Sequence, residues 1–531
     1  MIPKIRIHRS GKLICETEGV LGESLYSVIN SAGTYIDAPC GGAGRCSKCL
    51  VRTAPGGDEI LACRTLVGGD MDVYLPEEAE MSISEAGATG AGASSVYAPP
   101  GALPSPAIGG YENAAAPDPH TGRKFGVAAD IGTTTVVVHL TNIATGKRVA
   151  TASGANAQRP YGADVISRIR YCAENGHETL SNLIRDQLST LIRHTCEVSG
   201  EHARDIGYVS IAGNTVMEHL VAGYSPVGMG TAPFTPVDLF GEEIGAWEGL
   251  HASKTAKVFL CPAISSYFGG DAIAGMLAAG LPDDEGPTIF LDIGTNGELA
   301  MKYGDKFYCC STAAGPAFEG AEIAMGMAAV SGAIDHVKWD GKLQVTVIGN
   351  QAPRGICGSG LLDALAVMVE KGAVDETGRL LDADEAGRDV APHIGKVDGK
   401  NVFWLTMGSG GIYISALDVR KLQLAKSAIA AGIRTLIHHA GIGEDRVKSF
   451  ILAGGFGSYM DKHSAAGIGM FPHSFLPKTL TLGNTAGEGA VLSLCSGSSR
   501  DALMDICKHC EYIDLAGNEV FRDQFTEQMF F

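Results

Sequence analysis

The run Asp-Ile-Gly-Thr occurs twice in this chain of 531 residues, starting at Asp130 and at Asp292. Each copy follows an apolar, strand-like stretch, Gly126-Val-Ala-Ala in the first case and Thr288-Ile-Phe-Leu in the second, and opens a tight turn into another strand. A carboxylate at a strand end followed by Gly-Thr suits a β-hairpin that grips phosphate. The glycine admits close backbone approach, and amide N–H groups with threonine hydroxyls bind the oxygens. The first loop comprises Asp130, Gly132, Thr133 and Thr134; the second comprises Asp292, Gly294, Thr295, Asn296 and Gly297. Two copies imply a duplicated α/β fold with a cleft between its halves.

A third glycine-rich run, Ala453-Gly454-Gly455-Phe456-Gly457, follows the apolar strand Phe450-Ile-Leu. It resembles the adenosine motif of the superfamily that joins sugar kinases, actin and the heat-shock chaperone ATPases. On that likeness Gly454, Gly455 and Gly457 let adenine and ribose lie flat against the chain. ATP is then the expected ligand. Asp130 and Asp292 are the catalytic candidates, holding Mg²⁺ through water or orienting the attacking water.

The N-terminal texture is different. Four of fourteen cysteines fall within residues 40–63, and Cys40, Cys46 and Cys49 give C-x5-C-x2-C, with Cys63 completing the set. Clustering of this kind suggests a metal centre rather than disulfides. The plant-type [2Fe–2S] pattern is C-x4-C-x2-C…C, so the first gap here is one residue longer. Gly41, Gly42 and Gly44 would let the loop wrap a cluster and aim amides at its sulfurs. Zinc is the rival, although its usual pair of C-x2-C units is missing because Cys63 has no close partner. Cys15 lies outside the pattern and reads as core.

Around the cysteines, residues 4–15 read as a hairpin with a turn at Ser10–Gly11. Leu21, Leu25, Val28 and Ile29 share one helical face, and short strands fall near 49–52 and 71–75. The expectation is a β-grasp ferredoxin domain over 1–81. Residues 82–122 are mostly Ala, Gly, Ser and Pro and read as a flexible linker. Such a chain of about 40 residues spans roughly 35 Å. Residues 123–531 are the α/β, actin- or sugar-kinase-like (ribonuclease H-like) ATPase domain. Its clearest helix starts behind the capping box Ser415-Ala-Leu-Asp418.

The charge balance excludes some partners. With 41 Lys+Arg against 59 Asp+Glu, a net charge of −18 repels phosphate backbones and argues against nucleic acid. The charged start lacks a signal peptide's apolar core, and no run of 18 apolar residues offers a membrane span. A cytoplasmic protein is expected, and nothing in the sequence excludes a homodimer.

Taken together, the motifs resemble the reductive activators of corrinoid-dependent enzymes. The likeness rests on Cys40-Gly-Gly-x-Gly-x-Cys-x-x-Cys and Leu61-Ala-Cys-Arg-Thr in the first domain. In the second it rests on Tyr161-Gly-Ala-Asp-Val-Ile-Ser-Arg-Ile, Gly213-Asn-Thr, Cys310-Ser-Thr-Ala-Ala-Gly-Pro and Gly355-Ile-Cys-Gly-Ser-Gly. Asp418-Val-Arg-Lys-Leu-Gln-Leu-Ala-Lys and the Asp292 and Gly454 runs complete it. The resemblance implies ATP-driven one-electron reduction of cobalt(II) to cobalt(I) in the corrinoid protein of a methyltransferase system. A low-potential donor would feed the cluster.

Three alternatives stand beside this reading. They are an activator like those of 2-hydroxyacyl-CoA dehydratases, a small-molecule kinase with an accessory cluster, and a redox-sensing binding module. Some relatives carry [4Fe–4S] clusters near the C-terminus; here Cys507-Lys-His-Cys510 is a lone C-x2-C on an expected helix. Cys309, Cys310, Cys357, His139 and His219 read as structural; the Ser311 and Thr312 hydroxyls read first as groups that satisfy the backbone, with an outward-facing pair as the alternative. Limited proteolysis should cut first within 82–122 and release an iron–sulfur fragment, seen as a band carrying iron; resistance there would mean an ordered strap.

Overall fold

A computed structural model of the chain describes residues 2–9, 11–32, 34, 36, 49–76, 82–85, 123–294, 296–320, 322–408 and 410–531. Cys40, Cys46, Thr295 and residues 86–122 therefore lie outside the described residues, as does Ser10 of the expected turn.

At the N-terminus β1 (Lys4–Arg9) and β2 (Lys12–Glu18) form the expected hairpin. Helix α1 (Leu25–Ser31) begins a turn later than the apolar spacing suggests. Gly22 takes a φ of +83°, and Ser24 caps the helix by accepting the Ser27 amide, which leaves Leu21 outside and exposed. β3 (Leu50–Arg52), β4 (Glu59–Leu61) and β5 (Met71–Leu75) complete a sheet in the order β2-β1-β5-β3-β4. β1 and β5 run parallel, and the other pairings are antiparallel. Ile5, Ile7, Leu25, Val28, Ile29, Cys49, Val51 and Val73 are the core, and Cys15 packs partly buried against it.

The next sheet has seven strands. β6 (Ser82–Glu85), β7 (Phe125–Ile131), β8 (Thr135–Asn142), β9 (Arg148–Ala155), β10 (Ile206–Gly213), β11 (Glu243–Gly245) and β12 (Lys257–Leu260) lie in the order β11-β12-β10-β7-β8-β9-β6. Composition places residues 82–85 at the start of the linker; they instead pair antiparallel with β9. An open sheet edge recruits main-chain N–H and C=O groups, which any residue but proline supplies. A cut within 86–122 would thus leave the N-terminal fragment held through β6. α2 (Val165–Asn175), α3 (Glu178–Ser199) and α4 (Thr215–Ala222) bury Ile169, Ile184, Leu188, Val216 and Leu220 in this sheet's core.

After α5 (Gly270–Ala278) come β13 (Thr288–Ile293), β14 (Gly297–Tyr303) and β15 (Lys306–Thr312). Two small sheets follow. One is β16 (Ala333–Trp339), β17 (Leu343–Val347) and β18 (Gly355–Ile356); the other is β19 (Ile394–Val397), β20 (Lys400–Trp404) and β21 (Tyr413–Ser415). β22 (Ser449–Ala453), β23 (Thr479–Thr481) and β24 (Cys510–Tyr512) then give a six-stranded sheet ordered β23-β22-β13-β14-β15-β24. The helices here are α6 (Gly358–Glu370), α7 (Ala416–His439), α8 (Gly454–Gly457), α9 (Lys462–Gly467), α10 (Thr485–Cys495), α11 (Gly497–His509) and α12 (Glu519–Glu527). The run β10-β7-β8-β9 has the same pattern as β22-β13-β14-β15: a parallel neighbour, then an antiparallel meander. The sequence repeat is therefore a structural one.

By packing, the chain divides into two compact units. The first holds residues up to 85 together with 123–271 and 490–497, and the second holds 272–489 and 498–531. Among the described residues no helix is long and apolar enough to cross a membrane.

Helix α7 anchors the second unit, with Leu422, Ala425, Ile429 and Ile433 fully buried along one face. Ser415 and Asp418 make the expected capping box. The Asp418 carboxylate also accepts the Ala324 amide at 3.0 Å from a separate loop. Ser415→Ala should cost about 1 kcal/mol of stability and Asp418→Ala about 2 kcal/mol, because the charge-assisted bond to the Ala324 amide is lost as well. Urea unfolding followed by circular dichroism checks this, and equal losses would mean that the Ala324 contact contributes nothing.

Candidate functional site

In the first unit Asp130 sits one residue from the end of β7, opposite Ala212 of the parallel strand β10. The turn closes when the Gly132 amide donates to the Thr135 carbonyl at 2.9 Å, and a Cβ on Gly132 would stand 3.0 Å from that oxygen. Three side chains clamp the loop from behind. Asn156 donates to the Gly132 carbonyl at 2.9 Å, Asn214 to Thr133 Oγ1 at 3.2 Å, and Arg168 to the Thr133 carbonyl at 2.5 Å. Arg168 is wholly buried, and burial pulls its guanidinium down to about 9. It spends its other N–H groups on the Gly162 carbonyl and the Gln158 amide oxygen. Thr134, by contrast, is exposed, so its hydroxyl is available to a ligand.

Beside this loop lie Asn214, which caps α4, and Glu218 one turn further on. Glu218 is wholly buried; burial first, then the charge of Asp271, pushes its carboxyl well above the usual range. Neither carboxyl oxygen has a partner of ordinary geometry, although Gly213 and Gly270 turn amides toward it. A Cβ on Gly269 would lie 2.6 Å from Asn214 Cα, and one on Gly270 would overlap Glu218 Oε1. Only a double glycine lets Asp271 and the start of α5 come this close.

In the second unit Asp292 lies opposite Ala453 of the parallel strand β22. The hairpin closes when the Gly294 amide donates to the Asn296 carbonyl at 2.9 Å. Gly454 has a φ of +85°, and a Cβ there would overlap Asp292 Oδ1 and lie 2.7 Å from the Ile293 carbonyl oxygen. Gly294 and Gly455 face open space, with nothing within 4 Å of where a Cβ would stand. The structure thus brings Asp292, Gly294, Asn296, Gly297 and the Gly454 run together. Phe456 joins them by stacking on Phe318, with ring centroids 5.0 Å apart.

Of the cysteines expected to hold a cluster, Cys49 immediately precedes β3 and is fully buried, while Cys63 lies partly buried in the 3-10 turn Ala62–Arg64. The Cys63 amide donates to Cys49 Sγ at 3.4 Å and the Ala62 amide to the Cys49 carbonyl at 2.8 Å. An amide aimed at a ligand sulfur fits a thiolate-held iron–sulfur group.

Burial and hydrogen bonding bear on several weaker expectations. Cys309, Cys310 and Cys357 are buried thiols. His219 donates from Nδ1 to the Thr215 carbonyl and accepts the Val237 amide at Nε2, so it is a satisfied structural group. Of the two readings of the hydroxyl pair, Thr312 follows the backbone one: it is buried and donates to the Gly297 carbonyl at 3.1 Å, because side chains alternate along β15. Ser311 is half-buried against Glu298 at 3.4 Å. Sequence reading missed Arg168, Glu218 and Asp271 as site residues. For Asn214 a signal existed: Ile211-Ala-Gly-Asn repeats Leu452-Ala-Gly-Gly.

A doubled meander, each copy ending in a carboxylate beside a glycine, defines an ATPase fold of the actin and sugar-kinase class. Residues 286–531 match the family model described as the C-terminal domain of RACo, the ASKHA domain, and residues 125–284 match the RACo middle region. The corrinoid activation enzyme RamQ of Eubacterium limosum is 31% identical over 590 residues, covering 98% of each chain. A Co(II) methylated amine-specific corrinoid protein reductase of Methanosarcina barkeri is 26% identical over 440 residues, 75% of each. Among solved structures, a reductive activator for a corrinoid, iron-sulfur protein has a TM-score of 0.68 at 28% identity, over 99% of this chain and 98% of that one. The chain belongs to the RACo family of reductive activators of corrinoid proteins.

The contact between Gly454 and Asp292 is directly testable. Gly454→Ala adds strain and overpacking of about 1–3 kcal/mol. If the displaced Asp292 serves nucleotide, affinity should fall roughly tenfold to a hundredfold, measured by calorimetry with an ATP analogue. Unchanged affinity in a folded variant would place the nucleotide elsewhere.

Proposed function

We propose that this protein reduces inactive cobalt(II) to cobalt(I) in the corrinoid of a methyl-transfer protein, one electron at a time, drawing on ATP. The observation that carries the reading is the joining, in one chain, of a cysteine pair with an amide-to-sulfur contact at Cys49 and Cys63 to two phosphate-type hairpins at Asp130 and Asp292. Cys40, Cys46, Cys49 and Cys63 would hold a [2Fe–2S] cluster, which supplies a one-electron carrier when bound. The Cys63 amide then favours negative charge on the Cys49 sulfur.

Thr133, Thr134, Gly294, Thr295, Asn296 and Gly297 take the phosphates, while Gly454, Gly455 and Gly457 take the adenosine. Asp130 and Asp292 would hold Mg²⁺ or orient the attacking water. Arg168 and Asn214 keep the first loop in a gripping shape, since they hold its backbone and the Thr133 hydroxyl from behind.

ATP is needed because the electron travels uphill. Plant-type clusters sit near about −400 mV, and cobalt(II)/cobalt(I) couples of corrinoids lie lower. Each 100 mV of gap costs one electron about 2.3 kcal/mol. The ATPase segment need not touch the electron; it need only hold the partner in a form whose cobalt is easier to reduce, then release it. A low-potential donor in the cytoplasm would refill the cluster.

Mixing the protein with ATP, a low-potential reductant and a cobalt(II) corrinoid protein should produce the cobalt(I) spectrum only when ATP is present. Asp130→Asn and Asp292→Asn should each remove most ATP turnover and leave the cluster spectrum intact. Wild-type turnover in both variants would sink the hairpin assignment, and phosphorylation of a small molecule without cobalt reduction would make the protein a kinase.

A further inference from the structure

The C-x2-C run near the C-terminus is divided by the fold. Cys507 lies in the last turn of α11, but Cys510 leaves the helix and begins β24. β24 pairs in parallel with β15, Phe307 opposite Cys510 and Cys309 opposite Tyr512. Residues two apart on a strand share a face, so Cys510 and Cys309 project from the same side of the sheet as diagonal neighbours. Their sulfurs are 3.0 Å apart, although 201 positions separate them in sequence.

We propose that Cys309 and Cys510 are a reversible disulfide site, closed by a low-molecular-weight disulfide and reopened by a thiol. Geometry is the first support. A disulfide bond is about 2.05 Å long, so the sulfurs need to close by only about 1 Å. Access is the second. Cys309 is fully buried, whereas Cys510 is only partly so, which leaves Cys510 the sulfur that a small oxidant meets first. Burial, and then the adjoining Cys510, also push the Cys309 thiol well above its ordinary value, so it is poorly suited to make the first attack.

The sequence of bonds follows. The Cys510 thiolate attacks one sulfur of the small disulfide, forming a mixed disulfide and releasing one thiolate, which takes up a proton. Cys309 then gives its proton to the second leaving sulfur and attacks Cys510 Sγ, forming Cys309–Cys510 and freeing a second thiol. Two protein thiols and one small disulfide become one protein disulfide and two small thiols; two electrons leave the protein. Cys507 is the competitor, because it is partly exposed and its charge acts on Cys309. The pairing favours Cys309 over it, since Cys309 already touches Cys510 across the sheet. Oxidation would staple the three-residue edge strand β24 to β15.

The inference stands apart from the cobalt reaction and is tested without it. Whole protein, kept anaerobic, is equilibrated with graded ratios of oxidised to reduced glutathione, acid-quenched, alkylated after denaturation and mapped by mass spectrometry. The expected product is a peptide pair joined through Cys309 and Cys510, lighter than its parts by two hydrogens. It should rise with the oxidised fraction and vanish with dithiothreitol. Cys507→Ser should give the same joined pair, and the wild-type map needs no variant to fold. Finding Cys309 always alkylated while Cys510 carries only glutathione, or finding a Cys507–Cys510 bridge instead, would overturn the proposal.

Discussion

The phosphate-type architecture of this chain depends on one pairing made twice, a parallel strand laid beside the strand that carries the aspartate. Asp130 faces Ala212, and Asp292 faces Ala453. Because the paired strands run the same way, the turns that follow them emerge together at the strands' carboxyl ends, which is where open α/β sheets take their ligands. In both copies the residue after the paired alanine is glycine. Gly454 has no room for a Cβ beside Asp292, and a Cβ on Gly213 would stand 3.2 Å from the Ile131 carbonyl oxygen. The carboxylate thus excludes a side chain at Gly454, and a main-chain carbonyl crowds one at Gly213. The supports differ: a buried arginine steadies the first loop, and a buried threonine hydroxyl from β15 steadies the second.

What could be read from sequence was what is decided locally. Strand, turn and strand at Asp130 and Asp292 rest on apolar runs broken by glycine, and the Ser415 box rests on four consecutive residues, so both were legible. The start of α1 was not, because spacing alone placed Leu21 on the helix face while Gly22 and Ser24 set the true beginning. Which way Thr312 faces is decided by alternation along a strand, once the register of β15 on β14 is known.

Other features need the tertiary fold. Arg168 lies on an amphipathic helix, where a charged residue usually faces water; it is buried because three neutral oxygens from two segments wait for it. Glu218 and Asp271 are far apart in sequence and meet only because two successive glycines remove every obstructing side chain. Cys510 likewise reads as half of a C-x2-C run until β24 turns it toward a residue in the middle of the chain.

Strand β6 changes the arithmetic of reach. With Ser82–Glu85 paired to β9, the long Ala/Gly-rich segment leaves and rejoins the same seven-stranded sheet. Its length then does not set the reach of the N-terminal sheet. The tether is the interval from Leu75 to Ser82. Seven peptide steps, fully drawn out, cannot exceed about 25 Å. While that strand stays paired, any docking partner must come within a short leash's swing of one sheet edge, whatever the length of the segment behind it.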